Sequence, residues 1–196
     1  YRHDSELAIN ENLTALTNTT TPYIPGTNIA VMDRFAARNE FHGGEIGLQG
    51  RMQRAEFWID GAAMLAVGGH RRRVVVDGST DVTVPNVGSS SSSGGILTST
   101  ETNIGAYSDS QAAVIPRFRL GAGCQLTERL SVRVGYNVII WDDVVQGANA
   151  LPPGLRTDPR NWPPVTAGGG PDPAFPGIVG DTFVAHGADV GLQFDY

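Results

Sequence analysis

The residues best suited to chemistry in this chain are His3, His42, His70 and His186, the single cysteine Cys124, and the run Ser89 to Ser93. A structural or catalytic zinc site draws three or four such ligands together, commonly in pairs two to five residues apart. The four histidines lie far from one another and stand in no such relation to Cys124. Each is read as a surface or interface residue, and no metal site is expected. The serine run lies in neither a Gly-x-Ser-x-Gly elbow nor a glycine-rich phosphate loop, so no hydrolase nucleophile is assigned to it. Asp142, Asp143, Asp158 and Asp172 carry oxygen ligands that suit calcium, but solvated loop charge is the simpler reading. No catalytic residue and no cofactor is expected, and the chain is not read as an enzyme.

A different set is more informative. Glu45, Gln49, Arg117, Arg119, Arg133, Asn137, Asp189 and Gln193 would share one face if their segments were extended. Facing a water-filled lumen, opposed arginines and carboxylates create a transverse field and a size limit. Paired across a narrow barrel, they would fill it and give structure without conduction. The sequence leaves both readings open.

The segments carrying these residues alternate with period two, as extended chain does. Leu130, Val132, Val134, Tyr136, Val138 and Ile140 share one face, and Ser131, Arg133, Gly135 and Asn137 the other. The last block places Ala188, Val190, Leu192, Phe194 and Tyr196 opposite Asp189, Gly191, Gln193 and Asp195. In 112 to 126, Val114, Phe118, Leu120, Ala122, Cys124 and Leu126 oppose Arg117, Arg119, Gly121, Gly123 and Gln125. Phe57, Ile59, Ala63, Leu65 and Val67 oppose Trp58, Asp60 and Met64, and Ile46, Leu48 and Met52 oppose Glu45, Gln49 and Arg51. Residues 5 to 14 alternate more weakly through Leu7 and Ile9. The pattern predicts six strands of about nine to eleven residues or more, the length that crosses a bilayer.

The links between these strands are unequal. Tight turns are predicted near Gln53-Arg54-Ala55 and Thr127-Glu128-Arg129, and long polar loops over 15 to 37, 85 to 108 and 146 to 180. Long and short alternate strictly, as in outer-membrane barrels with short periplasmic turns and long external loops. A soluble β-sandwich or lipocalin-like barrel would alternate too, but the loop asymmetry favours the membrane form. The run Arg71-Arg72-Arg73-Val74-Val75-Val76 takes the third strand past the bilayer thickness, as a strand projecting into external loops would.

Composition agrees. Of 196 residues only 17% are charged and 40% hydrophobic, with 25 glycines and 12 prolines. A soluble domain so short of both classes lacks driving force, whereas a wall between lipid and water needs each only on alternate positions. The net charge of −6 argues against nucleic acid as a partner. The fold expected is all-β, an antiparallel up-and-down transmembrane β-barrel. It forms a single domain over 1 to 196, or the C-terminal part of one.

The terminal stretch Asp189-Val-Gly191-Leu-Gln-Phe194-Asp-Tyr196 resembles the signal read by the outer-membrane barrel-assembly machinery, with Gly191, Phe194 and Tyr196 as its marks. Three stretches, DRFAARNEFHGGEIGLQG (33 to 50), GGILTSTETNIGAYSDSQAAVIPRFRLGAGCQLTERLSVRVGYNVIIWDDVV (94 to 145) and DTFVAHGADVGLQFDY (181 to 196), are similar to the putative beta barrel porin-7 family of Planctomycetes. The likeness departs from the family pattern at His42, Glu45, Arg117 and Cys124, and after Val145, where QGANALP stands. It implies a bacterial outer-membrane location with lipid as surroundings and no catalytic residues. The function implied is a porin-like passive channel for small hydrophilic solutes; a non-conducting structural or assembly protein of the envelope is the alternative. The likeness matches the C-terminal portion of the family domain, and common membrane barrels have at least eight strands. Closure is therefore expected from upstream strands, a homo-oligomer or another chain.

Overall fold

The computed structural model describes residues 1–16, 24–151 and 173–194. Seven strands form one antiparallel sheet: β1 (Arg2–Thr14), β2 (Asn28–Arg54), β3 (Phe57–Val84), β4 (Gly88–Ser93), β5 (Gly105–Thr127), β6 (Leu130–Val144) and β7 (Asp181–Phe194). Six of them lie in the order β1-β2-β3-β5-β6-β7 and curl into a half-barrel, while β4 pairs only with β3. One turn of 3-10 helix, Gly147–Ala150, follows β6. Among the described residues no helix is long and apolar enough to cross a membrane, which says nothing of strands.

Two-residue turns join β2 to β3 and β5 to β6 at one end, and Ala55 takes a left-handed φ of 53° to close the first. The long links gather at the other end. The loop extents differ from the sequence expectation. β2 begins at Asn28 and β3 runs to Val84, so 28 to 37 is strand and not loop. The 85 to 108 link contains β4, and β5 starts at Gly105. In the 146 to 180 link, residues 152–172 lie outside the described residues.

The register assigns each side chain to a face, and both faces change character partway up the sheet. Near the short turns the convex face is apolar: Ile46, Leu48, Met52, Phe57, Ile59, Leu65, Val134, Val190, Leu192 and Phe194 are all exposed on it. Toward the long links the same face carries Arg34, Arg38, Arg73, Asp4 and Glu6, with Arg34 donating to Glu6 at 2.8 Å. The concave face does the reverse. Its lower half is charged, and its upper half is a packed core of Phe35, Ala37, Val74, Val76, Leu97, Val145 and Ala150. Burying a Val or Phe side chain is worth about 1.5–3 kcal/mol, so this layer anchors the sheet.

The links supply the lid of that core. Asp33, buried on β2, accepts from the backbone N–H of Ile96 (3.0 Å) and Leu97 (3.2 Å) and from the Thr98 hydroxyl (2.6 Å). Asn39, also on β2, donates to Val145 O (2.8 Å) and accepts from Val145 N (2.9 Å), pinning the segment that leaves β6. Gly147 N then reaches the Ser5 hydroxyl of β1 at 3.0 Å, and the Asn149 amide reaches Asp181 of β7 at 2.7 Å. β1 and β7 are not hydrogen-bonded neighbours in the sheet, yet the rings of His3 and Phe183 lie 4.5 Å apart. The concavity is therefore narrow at this end.

Candidate functional site

Below the packed layer lies the charged inner wall. All eight residues of the stripe predicted from sequence, Glu45, Gln49, Arg117, Arg119, Arg133, Asn137, Asp189 and Gln193, point to the concave face, because each opposes an inward neighbour in the antiparallel register. The geometry joins them in groups. Arg117 on β5 donates to Glu45 on β2 at 2.8 Å, reaching across β3, and the Tyr1 hydroxyl takes the other Glu45 oxygen at 2.8 Å. Asn137 on β6 donates to Asp189 on β7 at 3.1 Å. Arg133 donates to Asp60 at 3.1 Å, and Arg119 lies 3.6 Å from the same oxygen.

Asp60 and Arg51 belong to this wall although the predicted stripe left them out. Their alternation with Ile59 and Met52 already put them on that side. Arg51 lies over Trp58 with its guanidinium carbon 4.6 Å from the ring centroid. Inward glycines make room for these groups. A Cβ at Gly121 would sit 3.0 Å from an Asp60 oxygen, one at Gly135 2.5 Å from an Asp189 oxygen, and one at Gly123 would collide with the Trp58 ring. The ion pairs are partly exposed, with the paired side chains retaining between 23% and 44% of their surface. Such pairs contribute little to stability. Their effect is to line a wet surface with fixed, opposed charge.

The chain matches the putative beta barrel porin-7 family over residues 1–196. It belongs to that family. Nothing among curated proteins and nothing among solved structures matches it. For the wall of a β-barrel in a membrane the arrangement of faces has a direct sense, with apolar side chains outside and charged ones within.

The remaining sequence-marked residues fall into place on this barrel wall. Gly191 lies inward opposite Arg133 and Phe194 outward opposite Leu130 at the end of β7, while Tyr196 lies outside the described residues. His42 and His186 are exposed on the convex face, where the Tyr136 hydroxyl pairs with His186 Nδ1 at 2.9 Å. His3 meets Phe183, and His70 is fully buried against Trp141 with ring centroids 5.0 Å apart. Cys124 lies on the outer side opposite Phe57.

His70 overturns the expectation of a surface or interface residue: it is fully buried, because β3 turns it into the packed layer on the concave side. It sits above the apolar band, level with Phe41 and Gln111, and neither ring nitrogen has a hydrogen-bond partner. Burial first, and the nearby Arg72 cation second, hold its pKa below the usual histidine value. Arg72 is itself enclosed, donating to Asp109 at 2.8 Å and to Asp143 at 2.6 Å. Gln111 donates to the other oxygen of Asp143, which has a left-handed φ of 62° at the bulge ending β6.

Proposed function

We propose that this chain forms part of the wall of an outer-membrane β-barrel through which small hydrophilic solutes diffuse passively, a porin-like role without catalysis. The observation that carries the reading is the pairing of faces. Half-exposed Arg, Asp and Glu side chains line the concavity of strands whose outer side presents Leu48 at 83% and Leu192 at 73% exposure. In water, each such side chain would forgo about 1.5–3 kcal/mol of burial. A contiguous apolar field of this kind is what lipid covers. The surroundings would be outer-membrane lipid, and the barrel-assembly machinery would read Gly191, Phe194 and Tyr196 on the last strand. Further strands, from a second copy or another chain, would complete the wall by pairing at its edges.

Single-channel recording in a planar bilayer tests the reading. Folded protein should conduct, and Arg133→Ala should shift its ion preference toward cations. Intact protein that never conducts would overturn it.

A second reading, a non-conducting envelope or assembly protein, is favoured by one specific observation. The upper concavity is packed with the links around Leu97, Val145 and Ala150. On this reading the lid never leaves, and ordered oligomers form with links 85 to 108 and 146 to 180 protected from protease. The two readings separate on Asp33→Ala, which loosens the lid. It should raise conductance if the lid constricts a passage, and it should leave a silent protein silent if the lid is permanent.

A further inference from the structure

Above the short turns the inner wall holds a depression of about 480 Å³ lined by Arg51, Trp58, Asp60, Arg119, Arg133 and Gln193, among others. Among the described residues its charges do not balance. Asp60 is the single carboxylate among the described lining residues, and it accepts one hydrogen bond from Arg133 at 3.1 Å. Arg119, at 3.6 Å, is beyond hydrogen-bonding distance of that oxygen. Arg51 makes no ion pair among the described residues, and its guanidinium carbon lies over the Trp58 ring. Two other described carboxylates of the wall are engaged elsewhere, Asp189 with Asn137 and Glu45 with Arg117. Three guanidinium groups from three strands, β2, β5 and β6, therefore line the depression beside one described carboxylate, which only Arg119 and Arg133 approach.

We propose that this depression is a binding site for a small oxyanion, a carboxylate or phosphate group, which the wall takes up as solute passes. The proposal rests on the porin-like reading for its place in a passage, but its chemistry is local. A guanidinium offers parallel N–H donors whose spacing matches two oxygens of a carboxylate or phosphate. The ring under Arg51 is itself held: Trp58 is 8% exposed and lies where a side chain at Gly123 would collide with it. A guanidinium held on an aromatic face loses less freedom when it closes on an anion. Gly121 keeps the floor open, since a Cβ there would come within 3.1 Å of Arg133 Nη2. Asp60 sets the limit: it repels a second negative charge and accepts from a hydroxyl, so a singly charged or hydroxylated acid fits better than a compact polyanion.

The test is calorimetric titration of detergent-solubilised, folded protein with succinate, gluconate and inorganic phosphate at constant ionic strength, with chloride as reference. Saturable binding of at least one oxyanion is expected, weakened about tenfold or more by Arg51→Ala and by Arg119→Ala, as loss of a charge-assisted hydrogen bond requires. Arg51→Lys keeps the charge but removes the fork and should lose most of the same affinity. Arg54→Ala, on the outward side of β2, should bind as the parent does. Absence of saturable binding, or binding indifferent to both alanine variants, overturns the site. Conductance without oxyanion binding refutes this inference alone. Binding without conductance upholds the site and refutes the passage.

Discussion

Gly43 on β2 and Gly68 on β3 face each other on the concave side so closely that a Cβ on Gly43 would lie 2.8 Å from Gly68 Cα, and one on Gly68 2.6 Å from Gly43 Cα. The pair marks the level at which both faces of the sheet exchange polarity. Just above it, Phe41 and His70 begin the packed layer; just below, Glu45 begins the charged wall. The two backbones can approach and bend because neither residue has a side chain.

Gly43→Ala and Gly68→Ala should therefore each destabilise the folded barrel by about 1–3 kcal/mol, the cost of forcing atoms into a packed site. Gly44→Ala, whose Cβ would meet nothing within 4 Å, should be neutral. Thermal unfolding in detergent, followed by circular dichroism, distinguishes them. Equal midpoints for all three variants would show that the close approach does not matter.

The same exchange of polarity explains what could and could not be read from sequence. In the lower half of β2 the outward, apolar residues are even-numbered, Ile46, Leu48 and Met52. In the upper half the odd-numbered residues Ile29, Val31, Phe35, Ala37 and Phe41 are buried. A period-two pattern thus changes phase near His42-Gly43-Gly44, and a strand read by one phase stops there. That is why the sequence of 28 to 37 reads as loop. The serine run 89 to 93 carries no hydrophobic signal at all, and its strand exists through pairing with Ser79–Thr83 of β3. Facing of the inner stripe was legible because alternation is unbroken in the lower half. The grouping of Arg119 and Arg133 around Asp60 depends on register between strands distant in sequence, which alternation does not encode.

Asp33 holds the lid of the packed layer, so Asp33→Ala should free the 94 to 104 segment. The substitution leaves two backbone N–H groups and the Thr98 hydroxyl without their acceptor, at roughly 1–3 kcal/mol for each one left buried. Limited proteolysis of the native protein should cut this segment much faster in the variant, while the lower barrel remains resistant. Unchanged cleavage would mean that apolar packing around Leu97 suffices to hold it.

Acid should act on the packed layer through His70. Its pKa is lowered in the folded state, so unfolded chain binds the proton more readily. The contribution to stability is full above the unfolded value, about pH 6.5, and is lost as pH falls through the lower folded value. Asp4 and Glu6 are held below the usual carboxylate range by hydrogen bonds from Arg2 and Arg34. Their contribution is lost only in a separate, more acidic window under about pH 4. Unfolding midpoints should fall between pH 7.5 and 5.5 in the parent and stay level in His70→Phe. A parallel decline in both would assign the acid response to other groups.

In the proposed function the convex face of the lower strands meets lipid hydrocarbon while the alternate residues meet water. Single cysteines placed along β7 in a Cys124→Ser background, at Val190, Gly191, Leu192, Gln193 and Phe194, test it most directly. Each is given a fluorescent label and reconstituted in vesicles whose acyl chains carry a quencher. Quenching should alternate, strong at positions 190, 192 and 194 and weak at 191 and 193, with water-soluble quenchers giving the opposite pattern. Uniform protection of 190, 192 and 194 from the lipid quencher would mean that this face is not against hydrocarbon.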